Sequence, residues 1–100
     1  MTEQLSADQV AAALTRATAA LIKARDRLNV ADAHLGDGDT GTMLERAARA
    51  VINVISSADF ATPADLLRNS GHAIARDTGS SLGTLIAIGL RGAAQNLGDR

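Results

Sequence analysis

Apolar residues recur at Val10, Leu14, Ala17, Leu21, Ala24 and Leu28, a four-three alternation that marks one face of a long helix. Ser6-Ala7-Asp8-Gln9 precedes it as a capping box, and the helix is expected to end near Asn29. A second capping box, Thr42-Met43-Leu44-Glu45, opens a stripe through Leu44, Ala47, Val51 and Ile55 that runs to about Ser56. Ser57 to Ala61 reads as a connecting loop. Thr62-Pro63-Ala64-Asp65 starts a third helix with proline at its first position, and Leu66, Leu67, Ser70 and Ile74 form its buried face as far as Arg76. Asp77 to Ser81 is a small polar loop. A last helix is expected from roughly Ser81 to Leu97, with Leu82, Leu85, Ile86, Gly89 and Ala93 inward. There is no strand alternation and no short-period repeat. The pattern predicts one all-α domain over residues 1–100, an antiparallel up-down bundle of about four helices.

Composition sharpens this picture. Hydrophobic residues are 46% of the chain, but 21 of them are alanine and Phe60 is the one aromatic residue. Alanine favours helices and buries little area, so close-packed helices around a thin core follow. Gly83, Gly89 and Gly92 each cost about 1 kcal/mol in a helix interior relative to alanine. Close approach by a neighbouring helix is their expected compensation. The net charge of −1 is dispersed, and with no basic patch or stacking aromatics nucleic acid is not an expected partner. Cysteine is absent, so disulfide and thiol chemistry are excluded. The longest apolar run, Leu82 to Leu90, is too short to cross a membrane, and no signal peptide is evident at the N-terminus. The cytoplasm is the expected location.

The chemistry concentrates in Asp32-Ala33-His34-Leu35-Gly36-Asp37-Gly38-Asp39-Thr40-Gly41, where three carboxylates and three glycines share ten residues. Carboxylates crowded this closely repel one another unless a cation lies among them. Asp37 and Asp39 are two apart and point to one side of an extended segment, and Asp32 can fold back toward them. Oxygen-only ligands select Mg²⁺, Ca²⁺ or Mn²⁺ over zinc. An EF-hand reading fails: counted from Asp37, the required glycine falls on Thr42 and the required glutamate on Ala48. The helix start that follows offers N–H groups and a positive dipole end to phosphate oxygens, with the Thr40 and Thr42 hydroxyls beside it. Thr78-Gly79-Ser80-Ser81 offers a second such start, and in an antiparallel bundle both loops fall at one end.

The run Leu28-Asn29-Val30-Ala31-Asp32-Ala33-His34-Leu35-Gly36-Asp37-Gly38-Asp39-Thr40-Gly41 resembles the signature of the nucleotide-binding domain of dihydroxyacetone kinases, the L-subunit or Dak2 family. Thr78-Gly79-Ser80-Ser81-Leu82-Gly83-Thr84 resembles that family's second loop. The resemblance implies half of an eight-helix up-down barrel. It further implies that Asp32, Asp37 and Asp39 hold two Mg²⁺ ions, with Thr40, Gly41, Thr42 and Met43 along the phosphates of ADP or ATP and Thr78 and Gly79 on the phosphate tail. The phosphoryl group then passes to a small ketose on a separate K-type subunit, so no catalytic nucleophile is expected in this chain. A phosphocarrier protein, a second copy or a complementary half-domain are the other partners it suggests.

Thr40 stands where many L-subunits have histidine, and threonine there is common in the related fatty-acid kinase branch. A fatty-acid-kinase-like domain and a non-catalytic nucleotide-binding or regulatory module are the alternative readings. His34 reads as solvent-facing or adjacent to the ligands, and His72 as structural. Arg76 suits phosphate neutralisation and helix-end complementation equally.

Overall fold

A computed structural model describes residues 5–58 and 60–98. Among them are five helices: α1 (Ala7–Lys23), α2 (Arg25–Ala33), α3 (Thr40–Ser57), α4 (Pro63–Thr78) and α5 (Ser81–Gly98). No strand occurs among the described residues, so the all-α expectation holds. The chain reverses after α2, α3 and α4; α2 packs on α3, α3 on α4 and α4 on α5, while α1 packs chiefly on α3. The result is an elongated body of 47 × 28 × 22 Å, with α3 and α4 at its centre. Of the predicted connecting loop from Ser57 to Ala61, position 59 lies outside the described residues.

The predicted first cap is present in full. Ser6 Oγ accepts from the Gln9 N–H (3.1 Å) and Gln9 Oε1 accepts from the Ser6 N–H (2.8 Å). The predicted single first helix, however, bends at Ala24, whose N–H is shared between the carbonyls of Ala20 and Leu21. No proline or glycine marks that point; the bend lets α2 lie against the start of α3. Ala17, predicted on the inner face, is exposed, and Thr18 is buried instead. The Thr18 hydroxyl is satisfied by donating to the Leu14 carbonyl (2.7 Å).

The predicted box at Thr42 is not the start of α3, which begins two residues earlier at Thr40. Glu45 is drawn into ion pairs with Arg25 (3.0 Å) and Arg49 (2.8 Å) rather than back to a cap. Thr62 caps α4 as predicted, accepting from the Asp65 N–H (3.0 Å) with Pro63 at the first position. That helix runs on through Asp77 and Thr78, so the second loop shrinks to Gly79 and Ser80.

The core is thin. Ala47, Ala50, Val51, Ala73 and Ile74 form its cluster on α3 and α4, with Leu14, Ile55, Ile86 and Leu90 packed around it. Leu66 and Ser70 are the largest side chains buried completely. The inward face of α5 differs from expectation. Leu82, Leu85, Gly89 and Ala93 are exposed, Ile86 is half-buried, and Gly83, Ala87 and Ala94 are the buried positions. Backbone proximity decides this. A Cβ on Gly71 would meet the Ala87 carbonyl oxygen at 3.1 Å, and one on Gly83 would overlap the Thr78 hydroxyl. Helices this close need the smallest side chains between them, not the most apolar.

Ser70 Oγ is buried with no hydrogen-bond partner among the described residues. An unsatisfied buried hydroxyl costs about 1–3 kcal/mol, and alanine is the better helix former. Ser70→Ala should therefore stabilise the fold by about 1 kcal/mol. The midpoint of urea unfolding measures it, and a lower midpoint than the parent's would contradict the burial argument.

Candidate functional site

The acidic loop is organised by one carboxylate. Asp32 sits in the last turn of α2, and the chain curls around it. Asp32 Oδ2 accepts the backbone N–H groups of Gly38 (2.9 Å), Asp39 (3.0 Å) and Thr40 (3.3 Å). Two of these are donors at the α3 N-terminus that have no intrahelical partner. Asp39, the residue in the N-cap position, makes no side-chain cap bond, because Asp32 has taken that role from eight residues upstream of the helix. Gly36 leaves room for this: a Cβ there would lie 2.5 Å from Asp32 Oδ1. Gly38 supplies a left-handed turn (φ +77°) that side chains resist.

Two more residues of α2 complete the contact. Asn29 Oδ1 accepts from the Thr42 N–H and Asn29 Nδ2 donates to Thr42 Oγ1, both at 3.0 Å. Arg25 reaches Glu45, and Gly41 is buried so closely against the Arg25 carbonyl that no Cβ fits. Arg25, Asn29 and Asp32 are spaced i, i+4, i+7 and form one polar face of α2 turned onto α3. Arg25 and Asn29 were not among the candidates of sequence analysis. Their i, i+4, i+7 spacing becomes a signal only once the helix continues past Asn29 to include Asp32.

The predicted site residues divide as follows. Asp37 and Asp39 have exposed side chains that make no hydrogen bond or ion pair among the described residues. The Thr40 and Thr42 N–H groups are engaged by Asp32 and Asn29, and the Met43 N–H donates to the Asp39 carbonyl (2.9 Å). Thr78 is buried in the last turn of α4, its hydroxyl donating to the Ile74 carbonyl (2.8 Å). Gly79 is exposed in the left-handed conformation (φ 60°) that reverses the chain. Ser80 Oγ caps α5 by accepting from the Gly83 N–H (2.9 Å). Both loops lie at the end where α2 and α4 finish. His34 ends α2 in solvent, and His72 is exposed on α4. Arg76 is paired with Asp77 (2.8 Å).

No three His, Asp or Glu side chains among the described residues stand together as a metal-binding group. The donor set itself suits a hard cation. It is oxygen-only, and among the described residues no lysine or arginine pairs with Asp32, Asp37 or Asp39.

The electrostatics follow these bonds. The Asp39 N–H first, then the Thr40 hydroxyl and the N–H groups of Thr40 and Gly38, hold the Asp32 carboxyl below its ordinary range against a smaller opposing effect of desolvation. Arg49 and then Arg25 lower Glu45 in the same sense. A carboxyl depressed by folding adds stability above its unfolded pKa, and that stability is lost as pH falls through the folded value. Asp32→Asn should therefore flatten part of the acid limb of a stability-pH profile, and an unchanged limb would refute the role given to Asp32. Gly41→Ala should destabilise by about 1–3 kcal/mol through overpacking against α2, read from urea unfolding; a neutral effect would contradict the close approach.

The model of the DAK2 domain family matches residues 34–100. Human triokinase/FMN cyclase is 36% identical over 90 residues, covering 89% of this chain and 16% of that protein. The bovine triokinase/FMN cyclase is 37% identical over 78 residues, 77% of this chain and 14% of that protein. No solved structure matches. The chain thus spans about one-sixth of the length of the curated relatives it matches. No helix among the described residues is long and apolar enough to cross a membrane. With its acidic loop ordered by Asp32 and its helices in an antiparallel row, this chain belongs to the DAK2 domain family.

Proposed function

We propose that this chain carries the metal and phosphate end of a dihydroxyacetone-kinase-like phosphotransferase, working in the cytoplasm. Asp32, Asp37 and Asp39 are the residues to hold two Mg²⁺ ions, and ADP or ATP is the nucleotide. The observation that carries this reading is the division of labour in the acidic loop. Asp32 fixes the backbone through three N–H groups, while Asp37 and Asp39 stand unpaired on the loop it shapes. Two unpaired carboxylates on one short loop suit a cation better than they suit each other.

Phosphoryl transfer depends on positioning and on neutralising charge over the phosphate oxygens. Magnesium, when bound, supplies that neutralisation. The chain's own part is to place the oxygens. The α2 face holds the α3 N-terminus rigid, and the positive end of α3 faces the same loop. The Thr40 and Thr42 hydroxyls, with the backbone at Gly41 and Met43, line the approach for the phosphates. Thr78 and Gly79 stand at the same end for the phosphate tail, through backbone more than through the buried Thr78 hydroxyl. The acceptor in this reading is a hydroxyl of a small ketose held by a K-type partner subunit, so the nucleophile comes from outside this chain.

Asp37 makes no contact that folding needs, which makes Asp37→Asn a clean test. MgADP at a hundredfold excess over its Kd should stabilise the parent by about 2.7 kcal/mol. Thermal unfolding with and without MgADP reads this out. Asp37→Asn should keep the parent's unliganded Tm and lose the MgADP-dependent rise. An equal rise in the variant would sink the assignment.

A further inference from the structure

The threonines within the described helices differ in where their hydroxyl protons go. Thr15, Thr18, Thr78 and Thr84 each donate to the carbonyl four residues back, at 2.7–2.9 Å. This is the usual habit of threonine in a helix. Thr40 gives its proton to the Asp32 carboxylate. Thr42 departs from the pattern. Its Oγ1 accepts from Asn29 Nδ2 (3.0 Å) and donates to nothing among the described residues.

Chemistry fixes the direction of that bond. The Thr42 N–H can only donate, so the oxygen of the Asn29 amide lies on it, at 3.0 Å. The amide nitrogen of Asn29 is thereby left on Thr42 Oγ1, and it too can only donate. A hydroxyl has one proton, and here that proton is turned away from Asn29. Thr42 is exposed, so the proton is presented outward at the start of α3, while Asn29 is half-buried beneath it. The clamp is close: a Cβ on Gly41 would lie 2.8 Å from Asn29 Oδ1. Without Asn29 the hydroxyl is free to turn back on its own helix, as the other four do.

We infer that Asn29 is a positioning residue for ligand binding: its amide occupies a lone pair of Thr42 Oγ1, so that the hydroxyl proton is presented to an ionised phosphate oxygen. Such an oxygen offers only lone pairs, and a hydroxyl donating to a charged acceptor makes one of the stronger hydrogen bonds. The two hydroxyls beside the acidic loop are thus of opposite polarity. Thr40, its proton spent on Asp32, turns lone pairs outward, whereas Thr42 turns out a proton. The role assigned to Asn29 rests on the phosphotransferase reading above, and it adds the residue that sets the polarity of one phosphate contact.

Calorimetric titration with MgADP tests this through a double-mutant cycle on Asn29 and Thr42. Asn29→Asp is nearly isosteric and still accepts from the Thr42 N–H. Its second oxygen can only accept, so the Thr42 proton turns inward and is lost to the ligand. The added charge also repels phosphate, and Thr42→Val, with no proton to redirect, isolates that part. Asn29→Asp should raise the MgADP Kd about tenfold more in the parent than in the Thr42→Val background. Thr42→Ser, which keeps the hydroxyl, should bind as the parent does. If Asn29→Asp does not fold, Asn29→Ala takes its place in the cycle with the same excess expected. An equal cost in both backgrounds overturns the inference, as does a Thr42→Val variant that binds like the parent, and neither outcome touches the nucleotide reading. A parent that binds no MgADP defeats that reading instead. Inorganic phosphate, followed by the NMR shift of the Thr42 amide, then probes the hydroxyl alone: the parent and Thr42→Ser should respond and Thr42→Val should not. No response in the parent, or an equal response in all three, overturns the role of Asn29 as well.

Discussion

The site in this protein depends on the Asp32 carboxylate accepting three consecutive backbone N–H groups. Three aspartates in eight residues ought to push one another apart. Here one of them is stabilised by amide dipoles and by the positive end of α3, so its charge is offset within the loop. Each glycine in the motif then has a separate physical task. Gly36 clears space for the Asp32 carboxylate, Gly38 turns the chain in the left-handed region, and Gly41 lets α3 touch the α2 backbone. The remaining two aspartates are displayed as a consequence of that docking.

The sequence and the structure agree most where a signal is local. The caps at Ser6 and Thr62, with Pro63, are read from a few adjacent residues, and their geometry is made within those residues. Disagreement begins where tertiary contacts compete. Thr42 and Glu45 have the spacing of a capping box, but Asn29 binds the first and two arginines bind the second. The break at Ala24 has no local marker in the sequence; it falls beside the close approach of Arg25 to Gly41. Within the site, the acidic loop was visible as a motif. The carrier of its shape, the Arg25–Asn29–Asp32 face, was hidden because these polar residues look like an ordinary solvated surface until a partner helix is placed on them.

Helix α5 shows a second kind of competition. Its leucines and isoleucines suggested one inward face, yet close packing with α4 selected glycine and alanine. A core built from alanine gains its contacts through short distances between backbones, and the larger side chains are left for other surfaces. The thin core and the exposed leucines of α5 are two results of one composition.

Helix α2 has no buried residue at all, and its Val30 and the following Leu35 face solvent. Directional polar bonds, rather than hydrophobic burial, fasten it to the body. Such an attachment breaks as a unit, because losing alignment at one bond misaligns the next, and it opens at lower free energy than the packed core. The peptide groups of α2, the acidic loop and the first turn of α3 therefore form one cooperative segment. Whatever binds the loop acts on that segment's local unfolding equilibrium, and the order of α2 is the measure of how tightly the loop is held.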